Sequence, residues 1–165
     1  MRRGSDAREM GGGGDAYASM IVDEIKPRID AMFRTQSGPS GTLLAGSSLG
    51  GLVSLHTAIT RPGVFGAVGV VSPSLWWGER EIIERVEADA SPLKVVRVWL
   101  DMGTAEGAPD ESGQRPHVAD TQRLARALEQ AGVMHHVEIV EGGEHSERAW
   151  SARFARMAEY LLASP

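Results

Sequence analysis

Cysteine is absent from the 165-residue sequence, which excludes disulfides, thiolate metal sites and cysteine nucleophiles. Long apolar runs are also missing, since no stretch approaches the roughly 20 residues that span a bilayer. The first 14 residues are polar and glycine-rich and lack the apolar core of a signal peptide. We therefore expect a soluble, cytoplasmic protein with no membrane partner, in which residues 1–14 form a flexible lead-in to a domain over residues 15–165.

Basic residues are too few for a nucleic-acid surface. The chain has 17 Lys and Arg against 22 Asp and Glu, a net charge of −5, with both signs mixed along its length. Nucleic acid is therefore not expected as a partner. The length and the 42% hydrophobic content are typical of one soluble globular domain with a sizeable core. We expect neither a cofactor nor a metal ion, and without cysteine any nucleophilic role falls to a serine.

Hydrophobic periodicity predicts one helix followed by four pairs of strand and helix. The first helix begins near Asp15, and Pro27 is expected either to kink it or to start a new turn. The predicted strands are 42–45, 65–71, 95–100 and 136–140, and the helices that follow them are 48–60, 79–88, 117–130 and a last one that ends at Leu162. Strands that are almost wholly apolar favour an α/β fold, in which helices flank a mainly parallel sheet of about four strands. Reactive residues of such sheets lie at the carboxyl ends of the strands.

A Gly-x-Ser-x-Gly pentapeptide, from Gly46 to Gly50, lies between the first predicted strand and its helix. A strand that turns into a helix within about one residue holds the serine in a strained backbone conformation. We expect Gly46 and Gly50 to supply the space that this turn needs. Ser48 is therefore a candidate nucleophile, placed over the N-terminus of the helix that follows.

An activated serine needs a base, and five histidines are available. His145 follows the last predicted strand on a glycine-rich loop, at the carboxyl edge where the site is expected. The other four are placed less well: one within the helix after Ser48, one at a helix start and two at the amino end of a strand, namely His56, His117, His135 and His136. His145 is the candidate base.

The loop after the third predicted strand offers three acids to orient that base: Asp101, Glu106 and Asp110. All three lie between Ser48 and His145 in the chain, which is the α/β-hydrolase order of serine, acid and histidine. Asp101 adjoins the strand and is placed to bond nearby backbone, whereas the other two are equally consistent with solvated loop charges. The residues themselves leave the choice among the three open.

Several segments together resemble the "Putative esterase" family of the α/β-hydrolase superfamily. This family is related to esterase D and the enterochelin esterases, and it includes feruloyl esterases, acetyl-xylan esterases and mycolyltransferases. The resemblance runs from about Tyr17 to Leu162, and it is carried by the segments 46–51, 61–65, 72–77, 100–106 and 142–145 and by Trp150.

The resemblance implies a three-layer α/β-hydrolase fold and a triad of Ser48, Glu106 and His145, because the family carries its triad acid in a Gly-x-x-Asp or Gly-x-x-Glu motif. It implies acyl transfer, in which Ser48 attacks an ester carbonyl and water later hydrolyses the acyl-enzyme. The backbone N–H of Leu49 is an expected oxyanion donor, since it follows the nucleophile.

The tryptophans near these motifs are expected to shape the site. Trp76 and Trp77 are candidates for the wall of the acyl or alcohol pocket, and a hydrophobic clamp on the core is an equally good interpretation. Trp150 is expected to pack behind the histidine loop.

One part of the family pattern is missing. Family members carry several strands before the nucleophile and a second oxyanion donor in a loop among them, so we expect only the C-terminal part of the fold here. The strand 42–45 would then be an exposed edge that invites pairing with another copy. The sequence predicts a serine hydrolase acting on a small-molecule or sugar-linked carboxylic ester. The alternatives are an inactive, N-terminally truncated fragment that acts as an assembly partner through this edge, as in a homodimer, and an acyltransferase.

Overall fold

Four parallel β-strands form one sheet in the computed structural model, which describes residues 12–113 and 115–163. The strands lie side by side in chain order, β1 to β4, and each pairs in parallel with the next. Their bounds are Leu43–Ser47 for β1, Ala67–Val71 for β2, Arg97–Gly103 for β3 and His135–Val140 for β4. The predicted α/β architecture is therefore confirmed.

Helices precede, connect and follow the strands. The main helices are α1 Gly14–Ser19, α2 Lys26–Met32, α3 Leu49–Thr60, α4 Glu81–Ala88, α5 Pro116–Gln130 and α6 Glu147–Leu162. A π-helical segment, Met20–Ile25, joins α1 to α2, and short 3₁₀ turns span Pro39–Gly41, Trp77–Arg80 and Ser91–Leu93. Pro27 lies two residues after this π-helical segment, within an otherwise continuous helical stretch, and its missing N–H interrupts the regular i→i−4 bonding there. Residues 1–11 of the predicted lead-in lie outside the described residues.

The sheet is the middle of three layers. Helices α3, α4 and α5 cover one face, where alternate strand residues such as Val68, Val70, Val98 and Leu100 are fully buried. Helix α6 packs against the other face over β2 and β3, with Met157 and Leu161 against Trp99. This alternation follows from the pleat, which sends successive side chains to opposite faces. The carboxyl ends of the four strands therefore meet along one edge.

Strand β3 is longer than expected. It was predicted to end at Leu100, but it continues through Asp101 to Gly103. Asp101 is wholly buried in this strand, and its carboxylate accepts a hydrogen bond from the Trp99 indole Nε1 at 2.7 Å. The same carboxylate also accepts hydrogen bonds from the Ser72 N–H and the Arg153 guanidinium, which are 29 and 52 positions away in the sequence. A buried carboxylate needs such partners, and because local periodicity does not show them, it ends the strand too early.

Candidate active site

The turn between β1 and α3 holds Ser48 in a strained backbone conformation, with φ 58° and ψ −123°. Gly46 is essential to this turn, since a Cβ there would lie 2.5 Å from the backbone C and O of Gly50. The prediction for the second glycine was wrong, because a Cβ on Gly50 would meet nothing within 4 Å. The close approach is made by Gly51 instead, whose Cβ would lie 3.0 Å from the carbonyl oxygens of Gly46 and Val71.

The loops after β3 and β4 are tied together at the same edge of the sheet. A Cβ on Gly103 would lie 2.1 Å from the carbonyl oxygen of Gly143, so the backbones of the two loops are in direct contact and leave no room for a side chain at Gly103. The Ala105 N–H donates to that same carbonyl at 2.9 Å, and the Gly142 N–H donates to Thr104 Oγ1 at 2.8 Å. These contacts hold the loop that carries Glu106 against the loop that carries the candidate base.

Ser48, His145 and Glu106 meet in one hydrogen-bonded row. The Nε2 atom of His145 lies 3.0 Å from Ser48 Oγ, and its Nδ1 lies 2.6 Å from Glu106 Oε2. Glu106 is only 2% exposed, whereas the imidazole is open to solvent on one side. A serine, a base and a buried acid in this order can transfer a proton from the hydroxyl and stabilise the imidazolium that results.

The three candidate acids are separated clearly by position. Glu106 contacts His145, as described. Asp101 is bonded instead to Ser72 and Arg153 beneath the site: the Ser72 N–H donates to its Oδ1 at 3.1 Å, and Arg153 Nη1 donates to the same oxygen at 2.8 Å. Burial raises the pKa of Asp101, against the lowering effects of the Trp99 hydrogen bond and the Arg153 charge. Asp110 lies on the exposed part of its loop, where it accepts hydrogen bonds from Ser112.

A pocket of about 330 Å³ opens above the serine. Trp76 lines it and is 46% exposed. Trp77 does not, and lies instead at a neighbouring cavity of about 590 Å³ that it shares with Leu49. The indole rings of the two tryptophans are 5.5 Å apart between centroids. The two tryptophans therefore face different cavities on either side of the serine turn.

An anion could be received at the N-terminus of α3. Leu49 is the first residue of this helix, so its N–H has no carbonyl partner within the helix. That N–H belongs to the residue after Ser48 and lies at the positive end of the helix dipole. The arrangement suits the oxyanion of a tetrahedral intermediate.

Three of the remaining histidines and Trp150 occupy the places expected of them. His56 bonds Asp15 at 2.9 Å, and His135 and His136 begin β4 at the edge away from the site. The Trp150 ring stands edge-on to the His145 ring at 4.9 Å between centroids, so it packs against the histidine loop as predicted.

Four residues at the site were not found from the sequence: Ser72, Ser74, Arg153 and His117. Ser74 Oγ lies 3.3 Å from Ser48 Oγ, and His117 lines the pocket. A signal existed for the two serines, since both lie within three residues of the carboxyl end of β2. None existed for Arg153, because an arginine in an amphipathic helix is typical of a solvated face.

The described part of the chain contains no helix long and apolar enough to cross a membrane. Among the same residues, no group of three or more His, Asp or Glu side chains is arranged to hold a metal ion.

A parallel sheet with helices on both faces, and a strained serine between strand and helix at its carboxyl edge, define an α/β-hydrolase. The model of the family described as "Putative esterase" matches residues 2–161, and the chain belongs to that family. The chain is 34% identical over 150 residues to the iron(III) salmochelin esterase of Escherichia coli O6:H1, covering 80% of this chain. It is 26% identical over 156 residues to the Bacillus subtilis protein YbbA, covering 93% of this chain.

Solved structures share the fold. An IroE-like serine hydrolase from Shewanella oneidensis superposes with a TM-score of 0.77 at 20% identity, over 97% of this chain and 51% of that one. The BES protein from Bacillus cereus superposes with a TM-score of 0.73 at 22% identity, over 93% of this chain and 56% of that one. The chain spans 62% of the length of YbbA and 34% of the salmochelin esterase, so it corresponds to only part of these relatives.

Proposed function

We propose that this chain carries the catalytic triad of a serine hydrolase that cleaves carboxylic esters. The observation that carries the proposal is the hydrogen-bonded row from Ser48 Oγ through His145 to Glu106, with distances of 3.0 Å and 2.6 Å. The strained serine backbone and the Leu49 N–H at the start of α3 support the same chemistry. A related salmochelin esterase and a structurally similar serine hydrolase make an ester the favoured substrate.

The reaction proceeds in two halves. Ser48 Oγ attacks the ester carbonyl carbon while its proton passes to His145 Nε2, and Glu106 stabilises the imidazolium. The carbonyl oxygen becomes an oxyanion that accepts a hydrogen bond from Leu49 N–H. When the tetrahedral intermediate collapses, the C–O bond to the alcohol breaks and His145 returns the proton to the leaving oxygen. Water then attacks the acyl-enzyme, with His145 as base, and releases the acid and Ser48.

Hydrolysis of p-nitrophenyl acetate and butyrate tests the proposal. We expect turnover by the chain and a loss of about 10³-fold or more in kcat for Ser48→Ala, since removing a triad member forfeits nucleophilic catalysis. Ser151→Ala, on the exposed face of α6, is the matched control and should leave the rate unchanged. A folded chain with no more turnover than Ser48→Ala would refute esterase activity.

A fluorophosphonate probe separates a reactive serine from ester specificity. We expect mass spectrometry to find one adduct, on the peptide that contains Ser48, which His145→Gln abolishes.

Product analysis in the presence of an alcohol acceptor distinguishes hydrolysis from acyl transfer: free acid as the main product supports the hydrolase, and acylated acceptor as the main product supports the acyltransferase.

We also propose, as a second candidate, that the chain associates with a second copy through the edge of β1. Leu43 is 41% exposed and Ala45 is exposed as well, so this edge of the described sheet presents apolar side chains beside unpaired backbone. An assembly role of this kind would be independent of catalysis.

A further inference from the structure

Three charged side chains are buried together beneath the candidate triad. Asp101 is 0% exposed, and Glu106 and Arg153 are each 2% exposed. The Arg153 guanidinium donates from Nη1 to Asp101 Oδ1 at 2.8 Å, and its Nη2 lies 3.5 Å from Glu106 Oε1. Buried ion pairs of this kind are often no more stabilising than apolar residues of similar volume, so stability alone does not account for the cluster.

The hydrogen bonds of the cluster divide the two oxygens of Glu106 between separate partners. Oε1 accepts hydrogen bonds from Ser72 Oγ at 2.6 Å and from the Gly103 N–H at 2.9 Å. The Arg153 guanidinium reaches the same oxygen and also donates to Ser72 Oγ at 3.2 Å. Oε2 is thereby directed at His145 Nδ1, 2.6 Å away. A carboxylate held on one oxygen keeps its other oxygen in a fixed position.

Ser72 itself is held in the left-handed region, with φ 41°. Its backbone N–H donates to Asp101 Oδ1 at 3.1 Å, so the same carboxylate that pairs with the guanidinium also anchors this strained residue. Backbone strain in a fully buried serine persists only where the surroundings require it. Here it places the hydroxyl between Glu106 and Arg153.

The charges of the cluster leave one negative charge uncompensated. Two carboxylates face one guanidinium, so the net charge of these three groups is −1. When His145 is protonated, its positive charge brings the net charge of all four groups to zero. Acyl transfer by a triad passes through the imidazolium. The cluster is therefore electrostatically matched to the form of His145 that exists during the reaction.

We propose that Arg153 is a positioning residue that acts through Glu106, with Asp101 as its counter-charge. Arg153 holds Glu106 Oε1 so that Oε2 faces the imidazole, and Asp101 cancels the guanidinium charge so that Glu106 acts on His145 with its full negative charge. The kinetic part of this inference rests on the proposed function. Arg153 does not line the pocket, so its effect is on kcat and not on KM.

Charge variants of the full chain test the proposal, because it predicts that removing Arg153 and removing the charge of Asp101 shift the kcat–pH profile in opposite directions. Arg153→Met leaves two buried carboxylates unopposed, so the imidazolium should persist to higher pH. We expect the acid limb of the kcat–pH profile to move up by about one pH unit, with kcat at neutral pH about 10- to 100-fold lower and KM unchanged. Asp101→Asn should move the limb down, because the guanidinium charge is then uncancelled. The double variant should return it close to the wild-type position.

The titration of the His145 ring followed by NMR gives the same test without turnover, with the signal assigned by its loss in His145→Gln. His117 lines the same pocket as this ring, and the exposed Glu144, Glu147 and Arg148 are its neighbours in sequence; all four are the same in every variant. The pH midpoint of the His145 titration should be higher than in the wild type for Arg153→Met and lower for Asp101→Asn. It should be close to the wild-type value for the double variant. A chain that shows these shifts but no turnover would refute the proposed function and leave the positioning role standing.

The proposal is overturned if the double variant is no closer to wild type than Arg153→Met, since a purely structural arginine gains nothing from neutralising Asp101. If circular dichroism shows that Arg153→Met does not fold, Asp101→Asn and Arg153→Lys decide. A lower titration midpoint of His145 in Asp101→Asn and a near-wild-type midpoint in Arg153→Lys support the positioning role. An unchanged midpoint in Asp101→Asn overturns it.

Discussion

At the scale of single residues, the serine turn depends on where backbone approaches backbone. A Gly-x-Ser-x-Gly motif suggests that its two glycines are equivalent, but the structure separates them. At Gly46 a side chain would meet the backbone of α3, and at Gly50 it would point into open space. The sequence motif shows which residues are small, and only the path of the chain shows which of them must be.

We predict that Gly46→Ala destabilises the protein by about 1–3 kcal/mol, because a Cβ 2.5 Å from backbone atoms forces the strand and helix apart. Gly50→Ala is the matched control, and it should be neutral or stabilise by up to about 1 kcal/mol, since alanine is the better helix former. Urea unfolding of both variants measures the difference. Equal destabilisation by the two substitutions would contradict the geometry.

At the scale of elements, the site depends on how helix α6 begins. Ser146 is the N-cap of this helix, and its Oγ accepts a hydrogen bond from the Ala149 N–H at 3.3 Å. The capping residue directly follows His145, so the helix start and the histidine loop are a single structural unit. About two turns further along, α6 also places Arg153 beneath Glu106.

Loss of this cap should be measurable. We expect Ser146→Ala to lower the free energy of unfolding by about 1 kcal/mol, because an N–H at the helix start loses its partner. Ser146→Asp retains an acceptor oxygen and should keep most of the stability, and urea denaturation followed by circular dichroism compares the two. If the aspartate variant were as unstable as the alanine variant, the cap would not be the cause.

The elements themselves were largely predictable from the sequence. All four predicted strands and the helices after them are present, because their apolar periodicity follows directly from burial in a three-layer fold. The end of β3 was not predictable, since Asp101 looks like a loop residue until Trp99, Ser72 and Arg153 surround it.

At the scale of the whole molecule, apolar surface remains open at one side of the fold. Helix α6 packs over β2 and β3, while Leu43 of β1 is 41% exposed. The helices before β1 are also largely open, with Met32 and Phe33 at 72% and 60% exposure. Exposed apolar surface next to a sheet edge is typical of an interaction site.

The proposed association through β1 predicts a dimer in solution that Leu43→Lys converts to a monomer, because a charge beside an exposed edge disfavours pairing. Met134→Lys is the control: it is 56% exposed and directly precedes β4, at the other end of the sheet. Size-exclusion chromatography with light scattering over a range of concentrations makes the comparison. A wild-type chain that stays monomeric throughout would exclude this interface.

The sequence by itself determined the order of strands and helices and the position of Ser48 and His145 at the carboxyl edge, because local periodicity and glycine spacing are properties of neighbouring residues. The tertiary structure decided which acid faces His145, since Asp101, Glu106 and Asp110 differ only in where the chain carries them. It also decided that Trp76 and Trp77 face different cavities and that Arg153 is buried under Glu106. Those relations join residues up to 47 positions apart, and they arise only when the loops of separate strands pack together.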